Sequence, residues 1–156
     1  MLFHKYKMIS SAILGLALLS AFAIAAPAAE AKTCYGVSKI KYTNKGAYTL
    51  GTIFVMFKDQ NGNKHETVGI RSNVLNGQSA TVNISAVSDG PSVGDEVWGK
   101  IKIEAGDRNG CRKDGNKFYY DKQGGTVSYK SSGTTQNDNR CELNRRPNEK
   151  YIIDCP

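Results

Sequence analysis

Apolar and polar residues alternate along most of the chain beyond residue 36, and no segment there repeats apolar residues at helical spacing. Alternation places every second side chain on the same face of an extended strand. The alternating runs are separated by clusters of Gly, Asn, Asp and Ser, which are typical of turns. The pattern therefore predicts an all-β fold, an antiparallel β-sandwich of about seven or eight strands.

The strongest predicted strand spans residues 47–58 and carries apolar side chains on both faces, so we expect it to be covered on both sides. A hairpin at the following Asn-Gly turn returns as residues 64–71, with Val68 and Ile70 directed inward. Residues 118–121 and 126–130 are predicted to form a second hairpin.

The first 31 residues have the three-part layout of a secretory signal peptide. Two lysines precede an apolar run at residues 9–26, and Ala29-Glu30-Ala31 offers a small-x-small cleavage site. An uncleaved membrane anchor is the alternative, since this run of 18 residues, apolar apart from three serines, lies at the short end of a membrane span. We expect cleavage, a single β-sandwich domain at 32–156 with a net charge of +6, and a secreted or periplasmic location.

All four cysteines lie in that domain, and an even number in an exported protein predicts two disulfides. The favoured pairing is Cys111 with Cys141 and Cys34 with Cys155, which ties the two termini together. The rival pairing joins Cys34 to Cys111 and Cys141 to Cys155. A thiolate metal site is disfavoured because the spacings contain no CxxC.

Histidine-dependent catalysis within residues 32–156 would have to use His65, their single histidine. No G-x-S-x-G motif is present, and oxidised cysteines offer no thiol nucleophile. His65 and Glu66 could act on RNA as base and acid, with the arginines beyond residue 107 binding phosphate. Those arginines are interspersed with acidic residues, which argues against specific nucleic-acid binding. We expect His65 to be an exposed residue at a strand end.

Two regions rich in side-chain oxygen atoms are candidate calcium-binding sites. Asp59, Asn61 and Asn63 alternate in one turn, but the sixth position holds Lys64, where an EF-hand loop needs Gly. Asp107, Asp114 and Asp121 recur in loop-rich sequence and are better explained as turn residues. No metal and no cofactor is expected.

Trp98 is the strongest indication of binding. It shares the polar face of its strand, residues 96–105, with Lys100 and Lys102, and a tryptophan there can stack on a sugar ring or enter a membrane interface. The alternative is that a loop or the second sheet covers it. One of two adjacent tyrosines, Tyr119 or Tyr120, should also point outward. The predicted binding surface comprises Trp98, Lys100, Lys102, Arg112, Lys113, Lys117, Tyr119 and Tyr120.

One stretch resembles a known family. Gly46-Ala47-Tyr48, the hairpin after it, the segment Gly77-Gln78-Ser79-Ala80-Thr81-Val82 and the strand Lys100-Ile101-Lys102-Ile103 are similar to the C-terminal β-sandwich of cholesterol-dependent cytolysins. The resemblance covers residues 44–105 and implies a sandwich fold. That family's Trp-rich membrane loop should follow residue 103, yet residues 106–115 contain no tryptophan. No functional residue carries over.

The leading hypothesis is an exported, non-catalytic module that binds a cell-surface glycan, a lipid headgroup or a protein, with peripheral membrane contact as one form of it. Loops and faces of a rigid, disulfide-bonded scaffold commonly carry recognition. The first alternative is a small secreted hydrolase or toxin acting on nucleic acid or cell wall, with His65 as proton carrier. The second is a secreted inhibitor.

Overall fold

The structure is a computed structural model that describes residues 33–156. The predicted signal peptide and its cleavage site lie outside the described residues. The all-β prediction is confirmed, since strands and two short 3₁₀ helices are the only regular elements among the described residues. The strands are β1 Cys34–Asn44, β2 Leu50–Lys58, β3 Lys64–Val74, β4 Ser79–Asn83, β5 Glu96–Ile103, β6 Arg108–Gly110, β7 Lys117–Tyr120, β8 Gly125–Ser132, β9 Arg140–Arg145 and β10 Ile152–Ile153, and the 3₁₀ helices are Ile84–Ala86 and Glu149–Tyr151.

The strands form one mixed sheet that is not closed. Its order is β3-β2-β5-β7-β1-β8-β9, with β4 and β10 paired to β1 and β6 paired to β5. We call β3, β2, β5 and β6 the front layer, and β4, β1, β8 and β9 the back layer. A single core cluster holds Val55 and Ile101 from the front layer and Ile40 and Val127 from the back layer. The two layers therefore pack face to face as a sandwich, and β7 joins them.

β7 and β8 do not form the predicted hairpin. Both run parallel to β1, on opposite edges of it, with β7 beside residues 34–37 and β8 beside residues 37–44. The chain changes edges near Gly124, where a Cβ atom would lie 2.4 Å from the backbone nitrogen of Val37. A residue with a side chain cannot approach another backbone so closely, so this crossover requires glycine.

Bulges between β2 and β3 decide which side chains enter the core. The register shifts once near Leu50 and again between Ile53 and Phe54. Leu50 and Ile53 thus both face the core, while Phe54 lies outside the core cluster. The partner of Phe54 on β3 is Val68, which is 36% exposed, so the prediction that Val68 points inward is wrong. An extra residue in one strand reverses the faces beyond it.

Asn44 ties the end of β1 to three neighbouring segments. Its side chain is fully buried, and its amide nitrogen donates to the carbonyl oxygens of Tyr48 at 2.6 Å and Val74 at 2.9 Å. Its amide oxygen accepts from the backbone N–H of Gly46 and from the hydroxyl of Ser131. A buried amide is tolerated in a core only when its donors and acceptor are satisfied in this way.

The favoured disulfide pairing is confirmed. Cys34 is bonded to Cys155, 121 residues away, and Cys111 is bonded to Cys141, 30 residues away. Two disulfides indicate folding in an oxidising environment outside the reducing cytosol. Within residues 33–156, no helix has the length and hydropathy needed to cross a membrane.

Candidate binding site

The outward side of the front layer is an aromatic and cationic surface. Strand pairing places its side chains in rows across the strands: Met56 lies between Glu66 and Trp98, and Thr52 lies between Arg71 and Lys102. We call this surface the front face; it consists of Thr52, Phe54, Met56, Glu66, Val68, Arg71, Trp98, Lys100, Lys102 and Arg108. Three of the predicted binding residues therefore share one surface with residues from three other strands.

Trp98 is half-buried, and a lysine from the loop between β6 and β7 lies over its ring. The Nζ atom of Lys113 is 4.6 Å from the ring centroid, and the same ammonium pairs with Glu96. Of the cover that the alternative interpretation predicted, by a loop or the second sheet, the structure shows this one side chain over the Trp98 ring. The cation–π contact contributes about 0.5–1 kcal/mol, and the partly exposed ion pair contributes about 0–1 kcal/mol. A ligand of modest affinity can therefore displace Lys113.

A second group of charges lies over Phe54. The guanidinium of Arg108 is 5.2 Å from the centroid of the Phe54 ring, and it pairs with Glu66 at 3.2 Å. Glu66 also pairs with Lys100 at 2.6 Å. The Glu66 carboxylate thus holds two cations in place above the apolar centre of the face.

The other predicted binding residues are dispersed. Arg112 is exposed, and its backbone N–H donates to the carbonyl of Cys141. Lys117 and Tyr119 line a shallow pocket beside Glu96, at the end of the front face. Tyr120 belongs to the core. The expectation that one tyrosine is exposed is wrong, because Tyr119 and Tyr120 are only 7% and 5% exposed.

Sequence reasoning missed several members of the front face. Alternation along β2 predicts one face for Tyr48, Leu50, Phe54 and Met56, but Tyr48 and Leu50 belong to the core, because the register shifts between Leu50 and Thr52. The sequence also contains no indication that Arg71 and Arg108 belong to this face. Arg71 lies beside Thr52, and Arg108 beside Lys102, because of strand pairing and a bulge that local periodicity does not report.

His65 closes the β2–β3 hairpin. Its Nε2 atom lies 2.9 Å from Oδ2 of Asp59, and its ring stacks on Phe57 with centroids 4.8 Å apart. Asp59 also accepts from the backbone and side-chain N–H groups of Asn63. These hydrogen bonds, that from His65 foremost, lower the pKa of Asp59 to about 2. The arrangement stabilises a turn, and the exposed position of His65 agrees with the sequence prediction.

In the oxygen-rich turns, the aspartate side chains accept hydrogen bonds from groups of the same turn or hairpin. Asp59 is engaged with Asn63 and His65, and Asp121 accepts from the backbone N–H of Gln123. Among residues 33–156, no three His, Cys, Asp or Glu side chains are grouped so that they could hold a metal ion.

The outward side of the back layer differs in composition. Lys39 lies between Asn83 and Thr126, and Lys41 lies between Thr81 and Ser128. Both lysines are exposed, and in the described part of the chain neither has a carboxylate within ion-pair distance. We call this hydroxyl- and lysine-bearing surface, Lys39, Lys41, Thr43, Thr81, Asn83, Thr126, Ser128 and Lys130, the back face.

The fold and these surfaces define a disulfide-bonded β-sandwich domain with one aromatic and cationic face. Comparisons of the chain with protein-family models, with curated proteins and with solved structures found no match. The resemblance of residues 44–105 to the cytolysin domain therefore stays a prediction.

Proposed function

We propose that the protein is an exported, non-catalytic recognition domain that binds an anionic glycan at a cell or matrix surface through its front face. The observation that carries the proposal is the half-buried Trp98 in a surface whose cations outnumber its carboxylates. Aromatic rings stack on the apolar faces of sugars, while guanidinium and ammonium groups bind carboxylate or sulfate groups. The front face supplies both kinds of contact on rigid strands.

The charge distribution favours an anionic ligand. Glu66, the carboxylate of the front face, and Glu96, at the end of that face, are already engaged by cations. Arg71 and Lys102 have no carboxylate within 4.0 Å in the described part of the chain. Positive charge therefore remains available to a ligand at the Thr52 end of the face.

The distribution of exposed apolar residues favours a glycan over a lipid bilayer. Leu75, Val93 and Ile152 are each about half exposed, but each lines a pocket of its own away from Trp98. Val68 is the one exposed large aliphatic residue on the front face. Insertion into a membrane needs a contiguous apolar patch, whereas sugar binding needs one aromatic ring surrounded by polar groups.

The test compares polysaccharides of matched length that are sulfated, uronic-acid-containing or neutral, at two salt concentrations, with the exported, oxidised protein. We expect saturable binding to the anionic chains that weakens at high salt. Trp98 is the single tryptophan of the chain, so its fluorescence reports occupation of the front face directly.

The paired variants K100A/K102A and K39A/K41A remove two lysines from the front and back faces respectively. We expect K100A/K102A to lower affinity for anionic chains about tenfold and to reduce its salt dependence, equivalent to about 1.4 kcal/mol. K39A/K41A should change affinity less than twofold. Equal losses in both variants, or preferential binding to anionic vesicles or to a protein, would overturn the proposal.

A further inference from the structure

A shallow pocket lies at the corner of the front face where Arg71, Thr52 and Lys102 meet. Its volume is about 410 Å³, which is within the range of small-molecule sites. Side chains from β2, β3 and the end of β5 surround it, namely Thr52, Arg71, Ser72, Asn73, Lys102 and Glu104. We call it the Thr52 pocket.

The donors of the Thr52 pocket converge from two sides. Thr52 pairs with Arg71 on β3 and with Lys102 on β5, so the two cationic residues occupy the positions on either side of it, on strands whose backbones lie about 4.8 Å from β2. The planar guanidinium binds a carboxylate through two parallel hydrogen bonds, and the ammonium adds a third donor. This side of the pocket is suited to one carboxylate group.

Glu104 supplies an acceptor to the same pocket. Glu104 folds over Gly51, where a Cβ atom would lie 1.8 Å from its Oε2 atom. Although Glu104 lines the same pocket as Arg71 and Lys102, it lies beyond ion-pair distance of both. Its oxygens can therefore accept from ligand hydroxyls. A sulfate ester replaces one such hydroxyl and brings charge toward the carboxylate.

We infer that the Thr52 pocket is the subsite for a sugar residue that carries a ring carboxylate and free hydroxyls, that is, a uronic acid. The inference rests on the proposed function and names its ligand class. Trp98 lies four residues from Lys102 along β5, or about 13 Å. An oligosaccharide that fills the pocket can thus place a second ring at Trp98.

The experiment titrates three probes: an oligogalacturonate, the same oligosaccharide with its carboxyl groups reduced to hydroxymethyl groups, and a sulfated neutral oligosaccharide. We expect R71A to lower affinity for the oligogalacturonate at least tenfold and to leave the carboxyl-reduced probe within twofold. R71K retains the charge without the two-pronged guanidinium and should lie between R71A and the wild type. Thermal unfolding of each variant checks that the substitution at this exposed position preserves the fold.

The variant E104Q tests whether the Thr52 pocket selects a carboxylate or accepts any anion. Removing the negative charge should raise affinity for the sulfated probe about threefold and leave the oligogalacturonate within twofold. Tighter binding of the sulfated probe by the wild type, or equal effects of R71A on the charged and reduced probes, would overturn the uronic-acid assignment alone. The proposed function fails separately, when K100A/K102A binds all three probes as the wild type does.

Discussion

The front and back faces are built by the same rule and have different chemistry. In both layers the outward residues of a central strand alternate with core residues: Trp98, Lys100 and Lys102 on β5, and Lys39 and Lys41 on β1. On the front face, carboxylates and rings hold several cations in place. On the back face Lys39 and Lys41 are flanked by hydroxyl and amide side chains and extend into solvent, and, among the described residues, Lys130 alone of its three lysines pairs with a carboxylate, that of Glu142. Positive charge alone does not distinguish the faces, whereas ordered charge around an aromatic ring does.

This difference matters because binding costs conformational entropy. A free lysine side chain loses rotamer freedom when a ligand immobilises it, while a side chain already held by an ion pair loses less. Lys100 and Arg108 are positioned before a ligand arrives, through Glu66. The front face should therefore bind selectively, and the back face should show only weak, salt-sensitive attraction to any polyanion.

The comparison assumes that both faces sit on one rigid sandwich, and Asn44 offers the most severe test of that assumption. N44A removes an amide that joins β1 to the segments around Tyr48, Val74 and Ser131 and leaves their polar groups unpaired in the core. We expect a loss of about 3 kcal/mol in the free energy of unfolding. Urea unfolding measures it, with the exposed Asn144 changed to Ala as control. A loss below 1 kcal/mol would mean that the amide does not hold the layers together.

Lys113 sharpens the comparison, because it is the side chain that covers the aromatic ring of the front face. K113A should expose the ring of Trp98 and raise affinity for a neutral oligosaccharide about threefold, since no cation has to be displaced. Affinity for an anionic chain should fall slightly through the lost charge. Trp98 fluorescence titration measures both, with K122A as the exposed-lysine control. Unchanged binding of the neutral probe would show that sugars do not reach the ring.

The smallest expected effect concerns the hairpin at the edge of the front layer. The pKa of Asp59 is about 2 in the folded protein, below the value of about 3.9 in an unfolded chain. The stabilisation from its ionised form is thus fully present above about pH 4 and is lost as the pH falls through about 2. H65A should flatten the fall in stability between those values. Urea unfolding from pH 5 to pH 2 measures it, and parallel curves for wild type and H65A would contradict the assignment.

Alternation and cysteine counting predicted much of this architecture. They identified the inward face of β5, the outward position of Trp98, Lys100 and Lys102, and both disulfides. These features depend on local periodicity or on a small number of combinations, so a single sequence contains them.

The missed features depend on partners that are distant in the sequence. β7 and β8 looked like a hairpin because the turn between them is rich in glycine, but each pairs with β1 instead. No strand was predicted at β9, where only Cys141 and Leu143 alternate with polar residues. Tyr119 became buried because β7 lies between β5 and β1, and no local signal reports that position.

The parallel pairing of β1 has a consequence for the order of folding events. β1 emerges first among the ten strands, but its parallel partners follow it by more than 80 residues, and β10 pairs with it at Cys34 and Tyr35. Such a high contact order slows folding, since long loops must close before the central contacts form. The centre of the sheet cannot be completed while the chain is still emerging. The native sheet is therefore incomplete until β7, β8 and β10 have been synthesised, and a chain that has not completed its fold is the form that a narrow translocation pore can accept.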